Sequence, residues 1–207
     1  KMRRNTQFLC EISPFEYNAG FVLFGKHQNK DPKIELMKSL YKTHMYMKNT
    51  FKESLWKQFG ASIDMLENAI TMCPDELWDT EEKFWYSVYH CLFFLDYYLT
   101  VDPATYSSPE PFTNSEFEGR MPERTYTKDE LLNYLQVNRE KCHTLLLNFT
   151  DEIANSRWIN PYRNYSVFEM LLYNMRHVQH HAAQLNKFLR EKINNAPSWV
   201  VQTKNDL

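Results

Sequence analysis

Glycine is scarce in this sequence, with only four glycines among 207 residues. So few glycines argue against an all-β sandwich, which depends on many tight turns that glycine makes accessible. Neither G-x-G-x-x-G nor G-x-x-x-x-G-K-S/T occurs. The chain therefore lacks the glycine-rich loops that hold phosphate groups in many nucleotide-binding proteins.

An excess of charge of one sign is also missing. The 24 Lys and Arg residues nearly balance the 26 Asp and Glu residues, which leaves a formal net charge of -2. Proteins that bind nucleic acid or anionic membranes carry concentrated positive charge. We therefore expect neither nucleic acid nor a membrane among the partners.

Long uninterrupted apolar runs are absent too. The longest apolar stretch, residues 84–101, carries His90 and Asp96 near its middle. It is therefore predicted to be a buried core helix rather than a membrane span. The basic residues at positions 1–4 are not followed by the apolar run of a signal peptide, so no secretory signal is predicted.

The four cysteines form no C-x-x-C pair; they are Cys10, Cys73, Cys91 and Cys142. Cys91 and Cys142 fall inside apolar helical patterns, where a free cysteine behaves as a small hydrophobic residue. We expect reduced thiols in the core of a cytoplasmic protein. The alternative is a disulfide-bonded, secreted chain.

Helical periodicity dominates the sequence from residue 34 onward. Apolar residues recur at three- and four-residue steps, as at Phe51, Leu55 and Phe59. Two capping-box patterns, Thr127 to Glu130 and Ser166 to Glu169, predict helix starts. Helices are predicted at about residues 34–72, 80–99, 127–149 and 166–193. The part of the first helix that precedes residue 49 is either continuous with the rest or a separate helix.

These helices predict an all-α four-helix bundle in which the second helix, apolar nearly all round, is central. The proline-rich residues 100–126 form a long crossover between the second and third helices, of a length that is uncommon unless it has a purpose. Short links are expected between the first and second helices and between the third and fourth. The bundle should span residues 34–207, after an N-terminal extension at residues 1–33 that is either a weak hairpin or a docked arm.

Three of the seven histidines are candidates for a metal site. His177 and His181 are one helical turn apart on a face flanked by apolar residues, so both imidazoles can reach one ion. His180 falls on the polar side of the same helix. His90 lies midway along the apolar second helix and needs a partner, which is either a single hydrogen bond in the core or the same metal ion. Three neutral nitrogens with an open fourth position are typical of a catalytic divalent-metal site.

The remaining side chains that bear on this site are less decisive. His44 and His143 are expected to be surface or half-buried residues. Tyr86 and Tyr97 share the face of His90, where they either contact a ligand or are core aromatics. Gln184 either orients a ligand imidazole or faces solvent.

No obvious general base accompanies the histidines, because no H-E-x-x-H pattern occurs. Asp96 and Glu169 are the carboxylates nearest in sequence. On a helical wheel Asp96 lies about 240° from His90, so we expect it to point elsewhere.

The sequence resembles the DinB-like (DinB/YfiT) metal-binding four-helix bundles. Their pattern is one histidine in the middle of the second helix and H-x-x-H-H-x-x-Q-L on the fourth, which stands here as His90 and residues 177–185. The resemblance covers about residues 50–195. One departure is Ala182-Ala183, where many members have Arg-Gly; this leaves the ligands intact and bears on substrate contacts.

The resemblance implies a divalent metal ion, of the kind of Zn, Ni, Fe or Mn, held by His90, His177 and His181. It also implies a small-molecule substrate in a thiol-dependent S-transferase or a hydrolase, with a low-molecular-weight thiol as a candidate cosubstrate. It further suggests a homodimer, for which the aromatics of residues 1–33 and the tail around Trp199 are candidate contacts. The alternatives are a non-catalytic metal- or small-ligand-binding module and a purely structural bundle.

Overall fold

The structure, a computed structural model, describes residues 32–207, apart from the side chains of residues 43–48. This part of the chain is mostly helical with one small two-stranded sheet, which agrees with the all-α prediction at the level of fold class. The contacts define two units, and the second unit, Lys42–Leu207, holds the candidate histidines and every element that follows the first helix. The predicted N-terminal extension, its hairpin signal, Cys10 and His27 lie outside the described residues, apart from residues 32 and 33.

The elements follow one another in a simple order. The α-helices are α1 (Pro32–Met72), α2 (Asp75–Trp78), α3 (Phe84–Tyr98), α4 (Lys128–Leu147), α5 (Asp151–Asn155) and α6 (Val167–Ile193). A hairpin of β1 (Arg157–Asn160) and β2 (Arg163–Ser166) precedes α6, with Arg157 paired to Ser166. Two short 3-10 turns, Pro103–Thr105 and Ser115–Glu118, lie in the crossover between α3 and α4.

Several predicted boundaries agree with the structure. The first helix is continuous, so the part that precedes residue 49 is not a separate helix. Helix α6 ends at Ile193, as predicted. The central helix begins at Phe84 rather than at Thr80, because Lys83 takes a left-handed conformation with φ 52°. Such a residue cannot continue a right-handed helix backwards, and the short α2 is therefore separate.

The predicted short link between the third and fourth helices is wrong. Residues 148–166 hold α5 and the β-hairpin, and the indole of Trp158 is fully buried there. Trp158 Nε1 donates to the carbonyl of Thr100, at a distance of 2.9 Å, at the start of the crossover. One buried anchor in a strand of four residues produces too little alternation to be read as a strand.

Of the two predicted capping boxes, the one at α4 is complete and the one at α6 is partial. Thr127 and Glu130 form the full capping box at the start of α4, with both reciprocal hydrogen bonds. At α6 the hydroxyl of Ser166 accepts from the backbone N–H of Glu169, and this is the half of the pattern that is observed. Each side-chain cap satisfies one of the N–H groups that a helix start leaves without a partner.

Helix α3 lies in the centre of the packing, as its apolar sequence predicted, and it contacts both α4 and α6. Asn138 of α4 donates to the carbonyl of Leu92, and Asn174 of α6 donates to that of Leu95, each at 3.0 Å. No helix within residues 32–207 has both the length and the apolar character needed to cross a bilayer.

Ion pairing joins the later part of α1 to α4. The guanidinium of Arg139, which is buried, pairs with the carboxylates of Asp64 and Glu67. A buried arginine with two carboxylate partners is well compensated, so it holds α4 in a fixed register against α1.

The described cysteines are free and buried, as predicted; they are Cys73, Cys91 and Cys142. Burial is the main cause that raises the pKa of Cys73 to about 11. Burial also raises the pKa of Cys91 and Cys142, so all three thiols are protonated at neutral pH and serve as core residues rather than nucleophiles. The cytoplasmic location stays a prediction.

The C-terminal tail packs along α1. The backbone N–H of Thr203 donates to the carbonyl of Lys57 at 3.0 Å, and Trp56 Nε1 donates to the carbonyl of Asn205 at 2.8 Å. Trp199 and Val201 remain 66% and 71% exposed, so the tail keeps apolar side chains available. The homodimer that would use them stays a prediction.

Gly60 allows this close approach of the tail, which generates the first test. A Cβ at position 60 would lie 2.6 Å from Cγ2 and 2.8 Å from Cβ of Thr203. We expect Gly60→Ala to lower the Tm of the full chain, with an overpacking cost of about 1–3 kcal/mol. In a chain that lacks residues 197–207 the same change should raise the Tm, because alanine is the better helix former by about 1 kcal/mol. Thermal unfolding of the four proteins checks this, and stabilisation of the full chain by Gly60→Ala contradicts it.

Candidate functional site

Helices α3 and α6 bring the three candidate histidines together. The ring centroids lie 4.6 Å apart for His177 and His181, 5.0 Å for His90 and His181, and 5.9 Å for His90 and His177. Each histidine offers one ring nitrogen, and these three atoms lie within 4.8 Å of one another. The predicted convergence of the imidazoles is therefore present, and metal binding itself stays a prediction.

The donor set fits a divalent metal ion. Nitrogens bound to one tetrahedral ion at 2.0–2.1 Å are separated by about 3.3 Å, so small side-chain rotations would bring these three into coordination. The buried Nδ1 of His177 has no hydrogen-bond partner among the described residues, which costs about 1–3 kcal/mol unless a ligand satisfies it. Imidazole ligands suit Zn, Ni and Fe better than Mn, which prefers oxygen.

Glu116 completes the surroundings of His90, and the sequence did not identify it. Its carboxylate Oε2 lies 2.7 Å from His90 Nδ1, and its side chain is only 4% exposed. A carboxylate that accepts from one ring nitrogen fixes the tautomer and directs the other nitrogen toward a metal ion. The signal that points to such a residue is the long crossover itself, since residue 116 lies within it.

The crossover holds Glu116 by a tight turn and a cluster of aromatic rings. The turn Ser115–Glu118 ends at Gly119, whose φ of 65° few other residues adopt without strain. Tyr89 donates to the carbonyl of Thr113 at 2.6 Å, just before the turn. The ring of Phe117 packs against those of Phe93, Phe94, Tyr97 and Tyr106. Glu116 is therefore positioned by its neighbours on both sides.

The two carboxylates nearest in sequence are placed elsewhere. Asp96 accepts from Tyr134 at 2.9 Å and pairs with Lys141 at 2.5 Å, so its carboxylate faces α4, as the helical wheel indicated. Glu169 is exposed in the first turn of α6, two turns before His177.

Tyr86, Tyr97 and Gln184, which the sequence also singled out, lie in three different surroundings. Tyr86 lies at the edge of the site: burial, together with the nearby charge of Glu116, raises its pKa to about 12. Tyr97 is a core aromatic whose ring packs against Trp158, at a centroid distance of 5.2 Å. Gln184 is exposed to solvent, and hydrogen bonding by its amide raises the pKa of His181, against the larger lowering effect of burial.

The remaining histidines also have places in the structure. His180 is exposed, as the helical wheel predicted. His143 is half-buried, with its ring 4.9 Å from that of Trp56 and its Nε2 3.2 Å from the carbonyl of Asp206. The side chain of His44 lies outside the described residues.

The surroundings of His177 and His181 keep these two imidazoles neutral. Burial first, and then His181, His90, His180 and Arg163, lower the pKa of His177 to about 3. Burial followed by His90 and His180 lowers the pKa of His181 to about 4, against a raising effect of Gln184. Both histidines are therefore in the metal-binding form at neutral pH.

Comparison of the chain with protein-family models, with curated proteins and with solved structures finds no match. The resemblance to DinB-like bundles therefore stays a prediction, which rests on the residues that carry it.

The lowered pKa values predict acid sensitivity of the metal-free protein. In an unfolded chain histidine has a pKa of about 6.5. Between pH 7 and 5 the unfolded state therefore binds protons at His177 and His181, whereas the folded state does not. The stability is fully present above about pH 6.5 and declines as the pH falls toward the folded values. We expect a loss on the order of 1 kcal/mol per pH unit per histidine within this window.

Denaturant unfolding of chelator-treated protein at pH 7, 6 and 5 measures this slope. A variant with Asn at both positions 177 and 181 should have a flatter slope, whereas His143→Gln should keep that of the natural sequence. An equal slope in all three proteins would show that other groups cause the acid sensitivity.

The contact between Glu116 and His90 generates a further prediction. Glu116→Ala should weaken metal binding 10–100-fold, because the carboxylate that orients the ligand ring is lost. Glu116→Gln keeps a hydrogen-bond acceptor, so its metal affinity should lie between those of Glu116→Ala and the natural sequence. Competition with a chelator measures the affinities, and Glu118→Gln, in the same turn but exposed and paired with Arg120, is the matched control. Equal affinities for Glu116→Ala and Glu118→Gln would contradict the assigned role.

Proposed function

We propose that the protein is a divalent-metal-dependent enzyme of the DinB-like type, a hydrolase or a thiol-dependent S-transferase. Its metal ligands are His90, His177 and His181. In this proposal the four long helices, α1, α3, α4 and α6, form a four-helix bundle around the site. The observation that carries it is the placement of one nitrogen from each histidine within 4.8 Å of the others.

A divalent ion held by three protein nitrogens keeps a coordination position for water or substrate and supplies Lewis acidity, which lowers the pKa of a bound water or thiol. The chain's own residues prepare this position. Glu116 holds the ring of His90 in one tautomer. Phe94 and Tyr98, whose rings lie 6.0 and 5.8 Å from that of His177, exclude water from one side.

Tyr86 is a candidate for a hydrogen-bond donor to the substrate. Because its pKa is raised to about 12, its hydroxyl remains protonated at neutral pH. A protonated hydroxyl beside a metal centre can donate to an oxygen that gains negative charge during a reaction.

A second candidate function is a non-catalytic module that binds metal or a small ligand. This alternative is favoured by the hydrogen bond between the carboxylate of Glu116 and His90. Within residues 32–207, Glu116 is the one carboxylate that hydrogen-bonds to a site histidine. Its Oε2 is bonded to His90, and its Oε1 is buried from solvent without a hydrogen-bond partner among the described residues, so neither oxygen is placed to act as a general base for solvent water.

Metal analysis tests the site itself. Ala at His90, His177 or His181 should reduce the zinc bound to less than a tenth of that in the natural sequence. His180→Ala should leave it unchanged, because His180 is exposed. Chelation should lower the Tm without abolishing the fold, since a ligand present at a thousandfold excess over Kd stabilises by about 4 kcal/mol. Loss of metal in His180→Ala but not in His181→Ala would contradict this assignment.

An activity screen separates the two candidate functions. Metal-loaded protein is assayed with low-molecular-weight thiols and electrophiles for transfer, and with activated esters for hydrolysis. His181→Ala, which should retain the fold, is the control for background reaction. Turnover that requires His181 supports the enzyme, whereas full metal occupancy without any such turnover supports the binding module.

A further inference from the structure

Arg163, at the start of β2, is held in a fixed orientation. Its Nη2 donates to the hydroxyl of Tyr173 at 2.9 Å. Its guanidinium carbon lies 5.0 Å from the ring centroid of Tyr173 and 5.7 Å from that of Tyr98. Stacking on aromatic faces leaves the in-plane donors of a guanidinium available.

The positive charge of Arg163 is not compensated by a carboxylate within the described part of the chain. Arg139, Arg124 and Arg120 each form an ion pair with an acidic side chain. Arg163 is half-buried, and the contacts observed around it are with tyrosines. Two tyrosine faces stabilise the cation in part, but they do not accept its remaining N–H groups.

Arg163 is linked to His177 through the rings of Tyr98 and Tyr173. The ring of Tyr98 contacts both partners: it is 5.8 Å from the ring of His177, and the guanidinium lies near its face. Tyr173, which accepts from Arg163, is one helical turn before His177 on α6. The charge of Arg163 is also one of the causes, after burial and the neighbouring histidines, that lower the pKa of His177.

We propose that Arg163 binds the carboxylate of the substrate, so that the substrate class is a small organic carboxylate whose other end lies at the histidines. This inference rests on the proposed function for the position of the reacting end. A planar guanidinium matches a carboxylate in geometry and forms two parallel N–H···O bonds with it. One guanidinium balances one negative charge, which fits a carboxylate better than a doubly charged phosphate.

The aromatic surroundings define the rest of the ligand. Tyr98 and Tyr173 border the guanidinium, and Phe94 packs against the ring of Tyr98 at a centroid distance of 5.5 Å and against that of His90 at 4.9 Å. The rings of Tyr98 and Phe94 lie between Arg163 and the histidines, so a ligand that joins the two ends would lie against aromatic rings. Its body should be apolar or aromatic.

The test compares benzoate with benzamide, which has the same shape without the charge. Isothermal titration of the zinc-loaded full chain should show at least tenfold tighter binding of benzoate. Arg163→Gln should remove this preference by weakening benzoate 10–100-fold while it leaves benzamide unchanged. Arg157→Gln is the matched control on the same hairpin, because Arg157 is exposed and bonds to Asn164. It should retain the preference.

Several outcomes would overturn the proposal. No preference for benzoate in the natural sequence sinks it, and so does an equal preference in Arg163→Gln, which would place the carboxylate on the metal ion. A loss of both ligands together with a lower Tm shows a structural role for Arg163. Arg163→Lys, which keeps the charge over the tyrosine rings, should retain part of the preference even if the Gln variant unfolds.

Metal analysis of the same samples separates this inference from the proposed function. A preference for benzoate that depends on Arg163 in a protein that binds no zinc supports the carboxylate site and contradicts the metal site. Full zinc occupancy without any such preference supports the metal site and contradicts the role of Arg163.

Discussion

The burial of α3 constrains much of the structure around it. A helix covered on nearly every side can leave no polar group without a partner, since each unsatisfied one costs about 1–3 kcal/mol. Two asparagines, Asn138 of α4 and Asn174 of α6, bond to its backbone carbonyls. Lys141 and Tyr134 of α4 satisfy the carboxylate of Asp96. Several polar residues of α4 and α6 therefore bond to α3, whereas the buried Arg139 of α4 pairs with carboxylates of α1.

The partner of His90 comes from the crossover rather than from a neighbouring helix, as does that of Tyr89, whose hydroxyl donates to the carbonyl of Thr113. Glu116 reaches His90 from a turn that Gly119 closes and that Phe117 fixes among aromatic rings. The crossover therefore has a structural role at the site: it supplies the carboxylate that contacts one of its imidazoles.

The features that could be predicted from the sequence are those that depend on residues close together along the chain. Helical periodicity, the cap at Thr127 and the shared face of His177 and His181 depend on residues a few positions apart, and the structure agrees with them. The contact between Glu116 and His90 joins residues 26 positions apart through an irregular loop, which no local pattern encodes. The hairpin was missed for a related reason, because its strands are short and anchored by the distant bond of Trp158.

Charge at the site is distributed in a way that separates two tasks. A continuous series of contacts runs from Glu116 through His90 and His177 to Tyr98 and Arg163. The carboxylate and the guanidinium stand at opposite ends of this series, separated by the rings between them. A negative group beside the histidines favours a bound cation, and a positive group beyond Tyr98 favours a bound anion. In the proposed function, the same aromatic residues that cover α3 therefore separate the metal end of the site from the carboxylate end.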